Sequence, residues 1–481
     1  MALRKISISF LVGLIAFLIV FSPGVAFADG PPEVDPKAVD KAVEKAVKHI
    51  LSKAKQGGSF DGRYSTSYPM GYNALCLLAM LKGGINKKHD MVKQSLVFLQ
   101  KQKINKTYGV GILLMALEAY YTPPKKKKQK KESSDWRTTV VEPPQKPKPS
   151  PQGRKWAQML ANWLVQAQIH SAWTYSDSGH TSARNPIPRR DNSNAQYALL
   201  GLLAAKRLGC KVPRQVFEKS LEYFLKMQET DGPEVKRFPV PASSDDLFRK
   251  EPDNLTGKKS KPNGGTTVSG GGEDGSPGEN GMRDKYMARG WDYATSKTMP
   301  DTSNSPYCSM TAVGVACLII TKSELIETSG FKKIRDKVNI GIEDGCAWMA
   351  KYYDPKVNVR VTSTGPRTDR DAWSSQHYYF LYAVERCGVF SGCERFGEKY
   401  WYLEGARYIL DKQNPDGSWN ELDYKGNPVT SADLCPTCFA ILFLKRATVP
   451  LNKRPIFTGD DLFKPKKGEL IPPPPEKKPG K

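Results

Sequence analysis

Four aspartates stand where a carboxyl group could do chemistry. Asp191 precedes NSNAQ, Asp301 precedes TSNSP, Asp371 precedes AWSSQ and Asp433 precedes LCPTC, and each leads into an apolar run. An aspartate at such a place ordinarily caps a helix by accepting from its first free N–H groups, a contribution of about 0.5–2 kcal/mol. The same carboxyl, in a dry pocket beside a second acid, stays protonated and serves as a general acid. Asp371 and Asp433 are the catalytic candidates. In Asp369-Arg370-Asp371 the arginine would favour the ionised form of its neighbours if it faced them. Paired carboxylates across a cleft would suit glycan cleavage. Trp173, Tyr175, Trp291, Tyr293, Trp373, His377 and Tyr378 are candidates to line a sugar- or lipid-binding mouth, with packing as their ordinary alternative. Cys435-Pro-Thr-Cys438 is a lone CxxC with no second pair, so no metal site and no cofactor is expected.

The elements that must position these residues are helices. Ala38, Ala42, Ala46, Ile50 and Ala54 recur every four residues, with Lys and Glu on the other side, which predicts an amphipathic helix. A Gly-rich turn follows, then YPMGYNALCLLAMLKGG, apolar nearly all round and so expected to be covered on every side. This pairing of an amphipathic with a more apolar helix recurs to make six hairpins, and no strand-rich region stands out. The last apolar helix, Phe439 to Leu444, shows no polar capping face. An open solenoid would need one, so the hairpins are expected to close into a ring with the apolar helices inside. The fold expectation is all-α, an (α/α)6 toroid over residues 35–446. Residues 122–153 (Lys/Pro-rich) and 232–288 (Gly/Ser/Asp-rich) read as surface or disordered insertions, and 447–481 as a Pro/Lys-rich tail.

Residues 1–28 combine Arg4 and Lys5, an apolar run from Ile6 to Phe21 and Ala26-Phe27-Ala28, the pattern of a cleaved secretory signal peptide. The expectation is an exported chain at the cell envelope or beyond, with no membrane span after cleavage. The net charge of +24 sits largely in Pro-rich basic runs such as Lys125–Lys131. That reads as solvated tails or contacts with envelope anions, and nucleic acid is not an expected partner. Nine cysteines in so long a chain do not make a disulfide scaffold, although Cys387 and Cys393 flank a short loop and could pair.

The turns after the amphipathic helices carry a further pattern. Gln56 is followed by Phe60, Gln102 by Tyr108, Gln168 by Trp173 and Gln413 by Trp419; Gln228 finds Trp291 only after the long insertion. A glutamine at a helix end can serve unpaired terminal carbonyls, and the ring can pack on the next hairpin, so these residues read as fasteners. The pattern, best kept in DKQNPDGSW, resembles the QW repeat of terpenoid cyclases, squalene–hopene cyclases above all, and the segment order looks most like exported squalene-cyclase-like or prenyltransferase-like repeat proteins. The resemblance spans most of 38–446 and implies a toroid. It also implies, for active cyclases, a DxDD acid cluster; here only Asp433 matches. Asp433-Leu434-Cys435 is similar to the Asp-x-Cys zinc ligands of protein prenyltransferase β-subunits, but no histidine follows His377. The functional expectation is a toroid that binds an apolar isoprenoid-like small molecule, or serves as a scaffold for an envelope protein or polymer. An active terpenoid cyclase or transferase, and a glycan-active (α/α)6 enzyme, are the alternatives.

Overall fold

Apolar helices cannot face water, and amphipathic ones need one covered face; a ring inside a ring satisfies both. The computed structural model describes residues 34–124, 140–141, 145–175, 191–248, 283–293, 305–362, 365–367, 376–421, 433–451 and 456–457. Among them are twelve helices. The outer ones are α1 (Pro36–Ser52), α3 (Asp90–Gln100), α5 (Pro151–Gln166), α7 (Arg214–Met227), α9 (Ser329–Tyr352) and α11 (Trp401–Asp411). The inner ones are α2 (Pro69–Lys82), α4 (Thr107–Tyr121), α6 (Asn192–Arg207), α8 (Cys308–Leu325), α10 (His377–Ser391) and α12 (Cys435–Leu444).

Each inner helix packs on the next, from α2 through α4, α6, α8 and α10 to α12, and α12 packs back on α2. The ring is closed, and the fold is an all-α (α/α)6 toroid. Outer helices cover it: α5 lies on α4 and α6, α9 on α8, and α1 bridges α11, α12 and α2. The inner helices are buried around nearly their whole circumference. On α1 only Val39, Ala42, Val43, Ala46, Val47 and Ile50 are buried, one face at helical spacing. Helix α8 is long and apolar enough to cross a membrane, yet it is buried among its neighbours as a wall of the barrel. Close approach between inner helices is secured at the crossing of α4 and α6, where Gly111 and Gly201 meet and a Cβ on either would overlap the other helix.

Three two-stranded antiparallel ribbons decorate the ring: β1 (Val140–Val141) with β6 (Ile456–Phe457), β2 (Glu234–Lys236) with β3 (Lys285–Met287), and β4 (Arg360–Thr362) with β5 (Gly365–Arg367). The second belongs to the insertion at 232–288, of which 249–282 lie outside the described residues. Its two ends pair with each other, and Ala242, Phe248, Tyr286 and Ala288 are buried. The anchor is Lys322 on α8, fully buried, which donates to Ala242 O, Ser243 O and Asn339 Oδ1 and pairs with Asp245 at 3.2 Å. A buried ammonium needs such partners, so the insertion's flanks are held where composition alone reads as loop.

Thr448 is buried at the far end of the barrel, and Arg207 of α6 donates to Val449 O and Pro450 O while paired to Glu118 of α4 at 3.1 Å. Residues 445–451 are a strap across the end where the inner helices finish.

Candidate functional site

The opposite end of the barrel is open. The first turns of all six inner helices surround a cavity of about 600 Å³, within the size range of small-molecule sites. A larger, shallow groove on the outer face of α5, lined by residues such as Arg154, Gln158 and Lys211, has no comparable convergence of elements. Eight tyrosines line the cavity: Tyr64, Tyr68, Tyr72, Tyr108, Tyr175, Tyr293, Tyr307 and Tyr379. Ser193, Ser309, Asn105, Asn358, Gln102 and Gln376 add polar groups, and Met70, Leu75, Ile112, Met310 and Phe439 supply apolar wall. Inner-helix geometry explains much of this: Tyr72, Tyr108 and Tyr379 occupy first turns, where a side chain reaches toward the mouth.

The hydroxyls form a connected set. Tyr175 and Tyr293 share a 2.6 Å hydrogen bond, Tyr108 bonds Ser193, and Ser193 donates to Asp191 Oδ1. Tyr108 stacks on Tyr175 with centroids 5.9 Å apart, and both residues line the cavity. Tyr379 is buried to 8 % exposure, with its hydroxyl beside those of Tyr108 and Ser193. Burial pushes the phenols of Tyr108, Tyr293, Tyr307 and Tyr379 upward, so all remain neutral donors at physiological pH.

Carboxyls sit just behind this lining. Asp191 is fully buried and caps α6, accepting from Asn194 N at 2.8 Å. Asp433 accepts from Cys435 N at 3.1 Å at the start of α12; burial raises its pKa. Glu421 accepts from His377 N at 3.2 Å, at the start of α10. Its pKa is raised well above the usual range by burial, with the charge of Asp433 adding to the effect. Asp433 thus lies within electrostatic reach of Glu421, a carboxyl that the sequence pattern did not single out because it lies outside any helix-start signature.

The candidate aromatics divide. Tyr175 and Tyr293 line the cavity. Trp173 and Trp291 are fully buried in their turns and do not face it. Tyr378 packs toward Trp419, and His377 turns Nε2 to Pro355 O at 3.0 Å while its ring packs on Phe380 and Tyr408. Residues at successive positions of a buried helix point to different sides, so α10 presents Tyr379 to the cavity and His377 and Tyr378 elsewhere. Trp373 and Asp371 lie outside the described residues. Among the described residues no three His, Cys, Asp or Glu side chains gather as a metal-binding set.

The turn residues show a repeated geometry. The indole N–H of Trp173 donates to Leu164 O, that of Trp291 to Phe224 O and that of Trp419 to Ile409 O, each near the end of the preceding outer helix. The glutamine amides reach sideways: Gln168 to Val216 O on α7, Gln228 to Gly341 O on α9 and Gln413 to Ala42 O on α1. Gln56 and Gln102 depart from this. Gln56 is exposed, and Gln102 donates back to Phe98 O on its own helix and lines the cavity. Phe60 is buried, with its N–H on Asn73 Oδ1, while Tyr108 belongs to α4 and the cavity rather than to a turn. Ser95 on α3 takes the place of a glutamine bridge in the first turn, donating to Gly58 O at 2.9 Å. Cys387 and Cys393 are free thiols, each against Cys346 rather than bonded to one another.

No protein-family model matches the chain, and no curated protein does. Among solved structures, an inactive variant of the GH76A α-1,6-mannanase of Salegentibacter sp. HEL1_6 with α-1,6-mannotetrose is 9 % identical over 85 % of this chain and 98 % of its own, with a TM-score of 0.45. The GH76 α-mannanase of Bacteroides thetaiotaomicron is 10 % identical over 86 % and 98 %, TM-score 0.45. The type II terpene cyclase MstE of Scytonema is 10 % identical over 85 % and 99 %, TM-score 0.40. The closed ring of helix contacts, rather than these distant likenesses, defines the fold class here.

Proposed function

We propose that this protein is an exported toroid that binds a hydroxylated ring ligand of the carbohydrate class in the tyrosine-lined cavity. The observation that carries the reading is the lining itself: eight phenols interleaved with serine, asparagine and glutamine side chains around about 600 Å³. A bare hydrocarbon chain would strip water from these groups and return no hydrogen bond, at about 1–3 kcal/mol for each group left unpaired. A sugar ring offers an apolar face to the tyrosine rings and hydroxyls to the polar groups of the lining. This shifts the expected ligand away from an isoprenoid. Glu421, raised by burial with Asp433 within electrostatic reach, supports a second reading on the same site, glycan cleavage, which needs an acid and a base carboxyl.

Titration calorimetry of the purified protein against a panel of neutral oligosaccharides and, separately, squalene in detergent tests the first reading. Saccharide binding that weakens about tenfold in Tyr379→Phe, the loss of one hydrogen bond of about 1.4 kcal/mol, is the expected result. The melting temperature of the same variant, read alongside, separates loss of binding from loss of stability. Squalene binding without any saccharide binding would sink it. Release of reducing ends, lost in Glu421→Gln and in Asp433→Asn, is the outcome expected of cleavage.

A further inference from the structure

The cavity carries charge as well as hydroxyls, and the charge has one sign. Among the described residues that line it there is no aspartate and no glutamate, but there are two lysines, Lys103 and Lys106. Both belong to the link between α3 and α4, Lys103 exposed and Lys106 half-buried. The link is held at both ends. Gln102 donates through its side chain to Phe98 O at 3.0 Å, and Thr107 N donates to Tyr175 O at 3.2 Å. The two ammonium groups therefore stand on fixed backbone at one wall of the cavity. Neither forms an ion pair among the described residues.

The carboxyls behind the lining do not cancel this charge. Asp191 is spent on the start of α6, accepting from Ser193 Oγ, Asn194 N and Asn194 Nδ2. Asp292 lies within reach of Arg360, and Asp433 within reach of Arg63. Burial raises the carboxyls of Asp292, Asp433 and Glu421, the direction that favours their neutral forms. The starts of all six inner helices meet at the same place, each worth about half a positive charge, and α2, α4 and α8 open without a carboxylate cap. An ammonium in water needs no partner. A ligand that settles against the wall removes part of that water, however, and a neutral one would leave two like charges partly desolvated. An anionic group offsets both costs through charge-assisted hydrogen bonds. We propose that the cavity selects an acidic saccharide, with the anionic substituent seated against Lys103 and Lys106 and the sugar ring against the tyrosines; this rests on the carbohydrate reading of the same cavity. The substituent is a carboxylate or a sulfate, since a lysine meets either as a point charge.

The test is titration calorimetry of the whole chain at pH 7 against three oligosaccharide sets matched in length: neutral, uronate-containing and sulfated. The expected result at low salt is an acidic set bound about tenfold tighter than the neutral one, with the ratio shrinking as salt rises to about 0.3 M. Preference for the uronates identifies a carboxylate as the substituent, and preference for the sulfated set identifies a sulfate. Replacing both lysines by methionine, Lys103→Met with Lys106→Met, should erase the preference. Lys103→Arg with Lys106→Arg should keep it, which a merely structural role of the two side chains would not require. Neutral sugars bound as tightly as acidic ones by the parent protein overturn the proposal and leave the carbohydrate reading standing. A folded double methionine variant that still prefers the acidic set also overturns it, because the anion is then held elsewhere. If no saccharide of any set binds, the carbohydrate reading falls and this proposal falls with it.

Discussion

An indole has one N–H to give, and at Trp173, Trp291 and Trp419 it goes to a carbonyl near the end of the outer helix just left behind. The residues of these turns were legible in the sequence because a Gln, a tight turn and an aromatic recur together; their partners were not, because a carbonyl on a neighbouring helix leaves no mark in the local pattern. Gln56 shows the limit. It keeps the residue type but is exposed, and Ser95 does the bridging. The two glutamines should therefore answer differently to removal. Gln413→Ala strips the donor from Ala42 O and Gly417 O and should cost about 1–3 kcal/mol in denaturant unfolding, while Gln56→Ala should stay within about 0.5 kcal/mol of the parent. Equal losses at both sites would remove the distinction. Gly314 is a sharper case, since a methyl there would overlap the Trp291 indole. Gly314→Ala should destabilise despite the gain of about 1 kcal/mol in helix propensity, read as a lower denaturation midpoint.

At the scale of the element, α10 carries three tasks on one helix. Its start abuts the Glu421 carboxylate, its first turn gives Tyr379 to the cavity, and its third gives Glu385 to the strap and Arg386 to the barrel. The apolar character of the helix was plain from the sequence, but a charged pair inside it had no period to betray it. Glu385 is fully buried, and burial pushes its carboxyl up to about 7, with the Thr448 bonds and Arg386 opposing. An acid raised in the folded state binds its proton more tightly there than in the unfolded chain. Stability from this group is therefore greatest below the unfolded value of about 4.3 and falls as pH rises toward 7, flattening beyond it. The whole effect is at most about 3–4 kcal/mol. Glu385→Gln keeps an acceptor and a donor for Thr448 without the charge. Urea unfolding at pH 5 and pH 8 should show a fall for the parent protein that is smaller in the variant; parallel profiles would mean the strap contact titrates nothing in this range.

For the whole molecule the decisive join is the seam between the first and last hairpins, because a toroid left open there is only a curved stack. Sequence could argue for closure from the apolar face of the last helix; it could not show which residues meet. The seam brings Gln413 to Ala42, Leu434 N–H to the Tyr72 hydroxyl at 3.1 Å and Lys445 to Asp40 at 3.1 Å. It also brings Cys438 on α12 to Cys76 on α2, sulfur to sulfur at 3.9 Å. Both thiols are buried, and burial raises the Cys438 pKa, so neither is a ready nucleophile in the folded state. The moment for bonding is during folding, before the seam shuts, under oxidising conditions. Bond formation needs the sulfurs about 2 Å closer, near 2.05 Å, and sends two protons and two electrons to a disulfide oxidant. Refolding with oxidised glutathione should yield a cross-linked peptide containing Cys76 and Cys438 on non-reducing digestion. A bond spanning nearly the whole chain should stabilise by up to about 5 kcal/mol, since it removes the open-ring states from the unfolded ensemble. Cys438→Ser should refold to the same closed toroid with a lower melting temperature than the oxidised parent and the same one as the reduced parent. Oxidative refolding that leaves these two thiols free, or that cross-links Cys76 to another cysteine, would show that packing alone shuts the ring.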